Sequence, residues 1–233
     1  MMKAAPQTLY KMLLKEFGSL NWWPMDQKYH KKFNSDPRFE VIVGAILTQN
    51  TAWSNVEKAL ENLKSKKMLE IKKISEINIK TLQKMVKPSG FFKQKAKRLK
   101  NLALYLQNNY NGNLDNFFNR DLSDVRKELL SLNGIGPETA DSILLYAGNL
   151  PIFVVDAYTK RICKRIPIDV NISYEEIQGY FQTKLSKTYK KSELTKIYNE
   201  LHALIVILAK TYCKNKPNCI NCPIKKYCKK LLQ

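Results

Sequence analysis

The chain contains no apolar run of 18 residues and no signal-peptide pattern, which argues against a membrane-spanning helix and against export. The expectation is a soluble protein of the cytoplasm or nucleoid with no membrane partner. Acidic residues are scarce: 20 Asp and Glu face 40 Lys and Arg, for a formal charge of +20 over 233 residues. That imbalance favours a polyanionic partner, and with the membrane set aside the polyanion is nucleic acid. An AT-rich genome would enrich Lys, but it would enrich Glu as well, so base composition does not account for the two-to-one ratio. Histidine is almost missing. His30 lies in a polar, basic stretch and is expected to be solvated, while His202 lies among apolar residues and is expected to be a satisfied core histidine. The length suffices for one large or two modest domains with a proper core.

What is present is concentrated in one stretch. Residues 122–132 (LSDVRKELLSL) carry Leu122, Val125, Leu129 and Leu132 at helical spacing, with Ser123 or Asp124 able to cap the start, and they predict a short amphipathic helix. Asn133-Gly134-Ile135-Gly136 breaks it, because two glycines around one aliphatic residue permit backbone conformations that other residues avoid. Pro137 suits the first turn of a following helix, whose inward face is Ala140, Ile143, Leu144 and Ala147 and whose end Gly148 marks. A helix, a Gly-Ile-Gly hairpin and a second helix would aim backbone N–H groups outward at a helix N-terminus, where they can hold a phosphate. Ile135 would plug the two helices together. Alone, such a turn is equally consistent with an ordinary helical corner.

With its continuation, residues 151–158 (PIFVVDAY), this hairpin resembles the endonuclease III-like (HhH-GPD) superfamily of DNA glycosylases. There a helix-hairpin-helix is followed by a Gly/Pro-containing loop and a catalytic Asp, so the resemblance gives Asp156 the catalytic position. From its setting alone Asp156 reads as the N-cap of a helix beginning near Ala157. The two roles are compatible, since an Asp at a helix start stays ionised at neutral pH and can stabilise a cationic sugar. The resemblance makes Gly134, Ile135, Gly136, Thr139 and Lys160 DNA-binding candidates. Relatives that also cut the strand carry a Lys directly before the Thr-Ala of the second helix, and its amine forms a Schiff base with the sugar. Here that residue is Glu138, which implies the monofunctional branch, in which Asp156 orients a water and leaves an intact abasic site.

Residues 8–17 predict an opening core helix. Asn21-Trp22-Trp23-Pro24 follows, and its adjacent Trp residues read either as one packed and one shielding a domain seam, or as stacking surfaces for an extruded base. Trp-Trp-Pro resembles the signature of MagIII-like glycosylases, which remove 3-methyladenine, so Trp22, Trp23 and Pro24 become base-pocket candidates. Phe39 is a further candidate, although an aromatic at the start of a core helix is generally core. Residues 26–38 are polar and basic and are expected to form a surface insertion. Residues 39–50 (FEVIVGAILTQN) predict a buried helix with a polar tip. In the family this helix ends in a loop that enters the minor groove, and Gln49 matches the residue that fills the gap left by the extruded base. Leu-Thr-Gln-Asn-Thr at 47–51 again resembles the methylpurine branch and by itself reads equally as a capped junction. A helix at 93–106, with Lys93, Lys95, Lys97, Arg98 and Lys100 above an apolar stripe, reads as a solvated face or a supporting phosphate contact. Residues 184–196 are expected to be partly loop-like, and 197–210 a strongly apolar helix.

Four of the five cysteines, Cys213, Cys219, Cys222 and Cys228, have the spacing C-x5-C-x2-C-x5-C. In a reducing compartment such a group favours a metal over disulfides. Spacing alone points to a structural zinc. The resemblance implies a [4Fe–4S] cluster instead, because endonuclease III-like enzymes end in a loop with x2 and x5 as its last intervals. Their first interval is commonly one residue longer, which keeps zinc open. Lys214, Lys216, Lys225, Lys226, Lys229 and Lys230 would make the loop a phosphate-contacting surface. Cys163 reads as a small buried residue.

The fold implied is all-α with two helical domains: residues 26–148, six helices ending in the hairpin, and residues 1–25 plus 149–233, carrying Asp156 and the loop 213–228. The protein implied is a monomeric DNA glycosylase acting on double-stranded DNA with a damaged base. It would hydrolyse the N-glycosidic bond of alkylated purines such as 3-methyladenine after base flipping. Two alternatives stand beside it: a bifunctional endonuclease III-like glycosylase/AP lyase for oxidised pyrimidines, and a non-catalytic DNA-binding iron–sulfur module.

Overall fold

The computed structural model describes residues 4–168 and 170–229; Lys230 lies outside them. Among the described residues there is no strand. In chain order the α-helices are α1 (Pro6–Phe17), α2 (Gln27–Phe33), α3 (Pro37–Leu47), α4 (Trp53–Ser65), α5 (Ile71–Glu76), α6 (Ile79–Val86), α7 (Phe92–Tyr110), α8 (Leu114–Phe118), α9 (Leu122–Ser131), α10 (Pro137–Ser142), α11 (Ala157–Arg165), α12 (Tyr174–Ser186) and α13 (Lys191–Thr211). Short 3-10 turns cover Lys87–Ser89 and Lys225–Tyr227, and α10 runs on as a π-helical turn, Ile143–Ala147. No described helix is long and apolar enough to cross a membrane.

The chain divides into two compact units, Trp23–Leu150 and Met1–Trp22 with Pro151–Gln233. The first is built on α3, whose residues from Phe39 to Leu47 are all buried. Asp36 caps it through the Arg38 N–H, and Pro37 occupies its first position. Helices α4, α7 and α10 and the π-helical turn pack on α3, while α5 and α6 pack on α7. This unit carries nine α-helical segments instead of the six expected. The 26–38 stretch itself folds into α2, and Asn78 and Asn113 cap further short helices through the N–H groups of Lys80 and Asp115. In the second unit α1, α11 and α12 pack on α13. Buried Glu200 on α13 accepts from Ser19 Oγ at 2.8 Å and from the Leu20 N–H at 2.5 Å, which ties down the chain after α1.

Two expectations need correction. His30 is not solvated: it is 3 % exposed, with Nδ1 2.8 Å from Ser35 Oγ and Nε2 2.8 Å from Glu40 Oε2. Glu40 is buried on α3, and a carboxylate there requires partners, which His30 and Lys64 (2.8 Å) supply. Stretch 26–38 lies largely at the surface as expected, but Tyr29 and His30 anchor it in the core. Lys95 is not on the solvated face either, being 1 % exposed and bonded inward. Residues 184–196 are partly loop-like as expected, the loop being confined to 187–190, because Glu193 reaches back to the Lys190 N–H at 2.9 Å and starts α13.

Candidate active site and nucleic-acid interface

The hairpin is made rigid from both sides. Arg126 on α9 forks onto Asp141 of α10, with Nε 2.7 Å from Oδ1 and Nη2 3.1 Å from Oδ2; Asp141 is fully buried. Gly134 has φ +83°, the left-handed region that favours glycine, whereas Gly136 has φ −92° and needs no such freedom. A Cβ on Gly136 would meet nothing within 4 Å, so that backbone is open to close approach. Ile135 is buried. Gly148 ends the second helix by packing and not by a left-handed turn: φ is −81°, and a Cβ there would lie 2.7 Å from Phe118 Cδ1 and 2.8 Å from the Leu144 carbonyl.

Gln49 follows the end of α3 and is held against this hairpin. Its amide nitrogen donates to the Gly134 carbonyl at 3.1 Å and to Thr139 Oγ1 at 2.9 Å, while Oε1 accepts from Arg98 Nη1 at 2.6 Å. Arg98 lies where a Cβ on Gly134 would fall, 2.0 Å from its Nε, so the glycine also makes room for the guanidinium. Behind Gln49, buried Lys95 donates to the carbonyls of Leu47 (2.9 Å) and Ser89 (2.5 Å) and so joins the ends of α3 and the Lys87–Ser89 turn. Burial, with Arg98 adding to it, pushes its ammonium down to about 8. The next residues after that turn include Phe91, 66 % exposed at φ +44°.

Of the aromatic candidates, Trp23 is buried, edge-on to Trp53 (centroids 5.3 Å) and tilted against Tyr146 (5.1 Å). Gly44 permits this, since a Cβ on it would stand 3.1 Å from Trp23 Nε1. Trp22 is half-buried, Pro24 exposed, and Phe39 fully inside the core of its unit. Trp53 and Tyr146 were not singled out in the sequence; the π-helical turn that carries Tyr146 gives no local signal. Glu138 is exposed in the first turn of α10.

Asp156 is 8 % exposed and caps α11, its Oδ1 accepting from the Thr159 N–H at 2.7 Å. His202 Nε2, from α13, stands 3.7 Å from Oδ2, beyond hydrogen-bond length but close enough for charge to act. Burial raises the carboxyl, but His202 and Thr159 outweigh it, and Asp156 sits below its ordinary value. A buried anion at a helix start is suited to stabilising a developing cation and orienting a water. His202 is the partner the sequence did not reveal, because no motif links positions 46 residues apart. Lys160 on the same helix places Nζ 5.7 Å from the Tyr174 ring centre.

Helix α11 is fixed at its other end to the cysteine loop. Arg161 Nε donates to the Cys213 carbonyl at 2.8 Å, Arg165 Nη1 lies 2.9 Å from Cys213 Sγ, and the Lys229 N–H donates to the Arg165 carbonyl at 2.7 Å. Cys213, Cys219, Cys222 and Cys228 line one cavity with Ile162, Ile166 and Ile224. Burial raises the Cys222 thiol, and Cys213, Cys219 and Cys228 raise it further, which places all four within electrostatic reach of one another. Among the described residues no three His, Cys, Asp or Glu side chains group closely enough for a single ion. Cys163 stays apart; burial pushes its thiol up to about 12, as an inert core residue requires.

A sequence profile described as "HhH-GPD superfamily base excision DNA repair protein" matches residues 43–187. A candidate DNA repair glycosylase of Methanocaldococcus jannaschii is 46 % identical over 223 residues, with 94 % of each chain covered. Endonuclease III of Rickettsia felis is 30 % identical, covering 84 % of this chain and 89 % of its own. Among solved structures, 3-methyladenine DNA glycosylase (MagIII) of H. pylori, bound to 1,N6-ethenoadenine, superposes with a TM-score of 0.73 at 33 % identity, covering 90 % of this chain and 98 % of that one.

Proposed function

The chain belongs to the HhH-GPD superfamily of base excision DNA repair proteins and is a DNA repair glycosylase, and from that premise we propose that it hydrolyses alkylated purines such as 3-methyladenine from DNA without cutting the strand. The observation that carries the hydrolytic reading is chemical: the residue before Thr139 is the carboxylate Glu138, which cannot form an imine, while Asp156 is buried and kept ionised. Asp156 orients a water and stabilises the sugar cation as the base departs. The hairpin N–H groups at Gly134–Gly136 take a phosphate, and Gln49 fills the space of the extruded base. The purine reading is supported by the likeness to MagIII and by the Trp-Trp-Pro sequence, whose Trp23 is already locked in an aromatic nest. A purine made cationic by methylation gains from an indole face by about 1–2 kcal/mol in a dry pocket.

The four cysteines fit a [4Fe–4S] cluster, the group that endonuclease III-like enzymes carry in this loop: four thiols share one cavity with an apolar wall, and an Arg stands against one sulfur. Zinc held by the same four sulfurs, each about 2.3 Å from one point, is the other group their spacing allows. Bound there, the group supplies a cross-link that holds the loop. Arg161 and Arg165 pass that support to α11 and so to Asp156.

A panel of lesion duplexes tests the reading. Free 3-methyladenine is expected, with the backbone uncut until alkali or heat is applied, and borohydride is expected to trap essentially nothing. Trapping that keeps pace with base release would restore the bifunctional alternative for oxidised pyrimidines. Absence of release from every lesion, with duplex binding intact, would favour the non-catalytic module.

A further inference from the structure

Outside the hairpin, one cleft is lined by Gln94, Lys97, Arg98 and Asn101 of α7 and by Asn133 at the hairpin's start. Its composition is what distinguishes it: two cations, three amides and no carboxylate. It is open to solvent and offers about 270 Å³, enough for a phosphodiester group. The side chains of Gln94, Lys97, Asn101 and Asn133 make no hydrogen bond or ion pair among the described residues, and Arg98 spends only Nη1, on Gln49. Uncommitted donors lining an open cleft match an acceptor-rich anion, two of whose oxygens the planar fork of Arg can take bidentately while Lys acts as a point charge.

We propose that this cleft is a second phosphate seat, binding a backbone phosphodiester of the DNA strand beside the one the hairpin holds. Its position gives it more than affinity. Arg98 is shared between the seat and Gln49, so a phosphate engaging the remaining guanidinium N–H groups fixes the side chain that orients Gln49. That link rests on the proposed role of Gln49; the seat itself requires only that the protein binds DNA.

The test is the salt dependence of binding to an undamaged duplex, read without any base release, so that failure of the lesion assignment leaves it intact. Each phosphate contact contributes about 0.9 to the slope of log affinity against log salt. Lys97→Gln is expected to lower that slope by about 0.9. Lys93→Gln, the same change of charge on the same helix but outside the cleft, is expected to lower it much less. Asn101→Asp, which places an anion in the seat at nearly constant shape, is expected to weaken binding at least tenfold at low salt. Equal slopes for Lys97→Gln and Lys93→Gln would overturn the proposal. So would a rise in Tm with inorganic phosphate that Lys97→Gln abolishes while leaving the DNA slope untouched, since the cleft would then serve free anions.

Discussion

At the scale of single residues, Asp156 is legible in the sequence because an N-cap is a local feature: the carboxylate, its helix and the Thr159 N–H lie within four positions. Its ionisation is not legible, because that depends on His202 from α13. Asp156→Asn keeps shape but removes the charge, and single-turnover base release is expected to fall about a hundredfold, roughly 3 kcal/mol, with DNA affinity little changed; turnover near wild type would remove Asp156 from the chemistry. In wild type, release is expected to decline only as pH falls below the ordinary carboxylate range, where the depressed Asp156 is protonated. In His202→Gln burial is offset by Thr159 alone, and the acid limb of the pH profile is expected at higher pH. An unmoved limb would show that His202 is only packing. The two tryptophans are expected to separate: Trp23→Ala, in the nest with Trp53 and Tyr146, should lower stability by about 3–5 kcal/mol in denaturant melts, whereas half-buried Trp22→Ala should slow 3-methyladenine release with the melt little changed.

Helices were read correctly where apolar spacing is dense and wrongly where a buried charge intervenes. Residues 39–50 read as a buried helix on length, although Val41, Ile42 and Val43 would permit a strand, yet the neighbouring His30 looked solvated and Lys95 looked like a surface cation. Helical periodicity ranks residues by apolarity, and it cannot see that Glu40 draws His30 inward or that two carbonyls draw Lys95 inward. Lys95 offers a test at this scale. Its pKa falls from 10.5 to about 8 on folding, so between those values the unfolded chain binds more protons and stability rises with pH. The neutral amine still donates to both carbonyls. Wild type is therefore expected to gain stability between pH 8 and 10 relative to Lys95→Met, measured by denaturant melts at both ends; a constant difference would place the ammonium in water.

For the whole molecule, charge pointed to a polyanionic partner, while the all-α architecture and the family were legible only through the resemblance carried by the hairpin and residues 151–158; the division after Trp22, between two residues of one motif, has no signal in the chain. Anaerobically purified protein is expected to be brown with about four iron atoms per chain, and chelation of that iron should cost base release as well as stability, because Arg161 and Arg165 couple the loop to α11; colourless protein with one zinc would overturn the assignment. The +20 charge retains the protein on any duplex, but Gln49 starts from a bonded state. Its three hydrogen bonds, at about 1 kcal/mol net each, leave it released in fewer than roughly one molecule in a hundred at any instant. On the role proposed for it, the protein therefore travels along intact DNA with Gln49 held against its own hairpin, and filling the gap of an extruded base first costs the three bonds that hold it there.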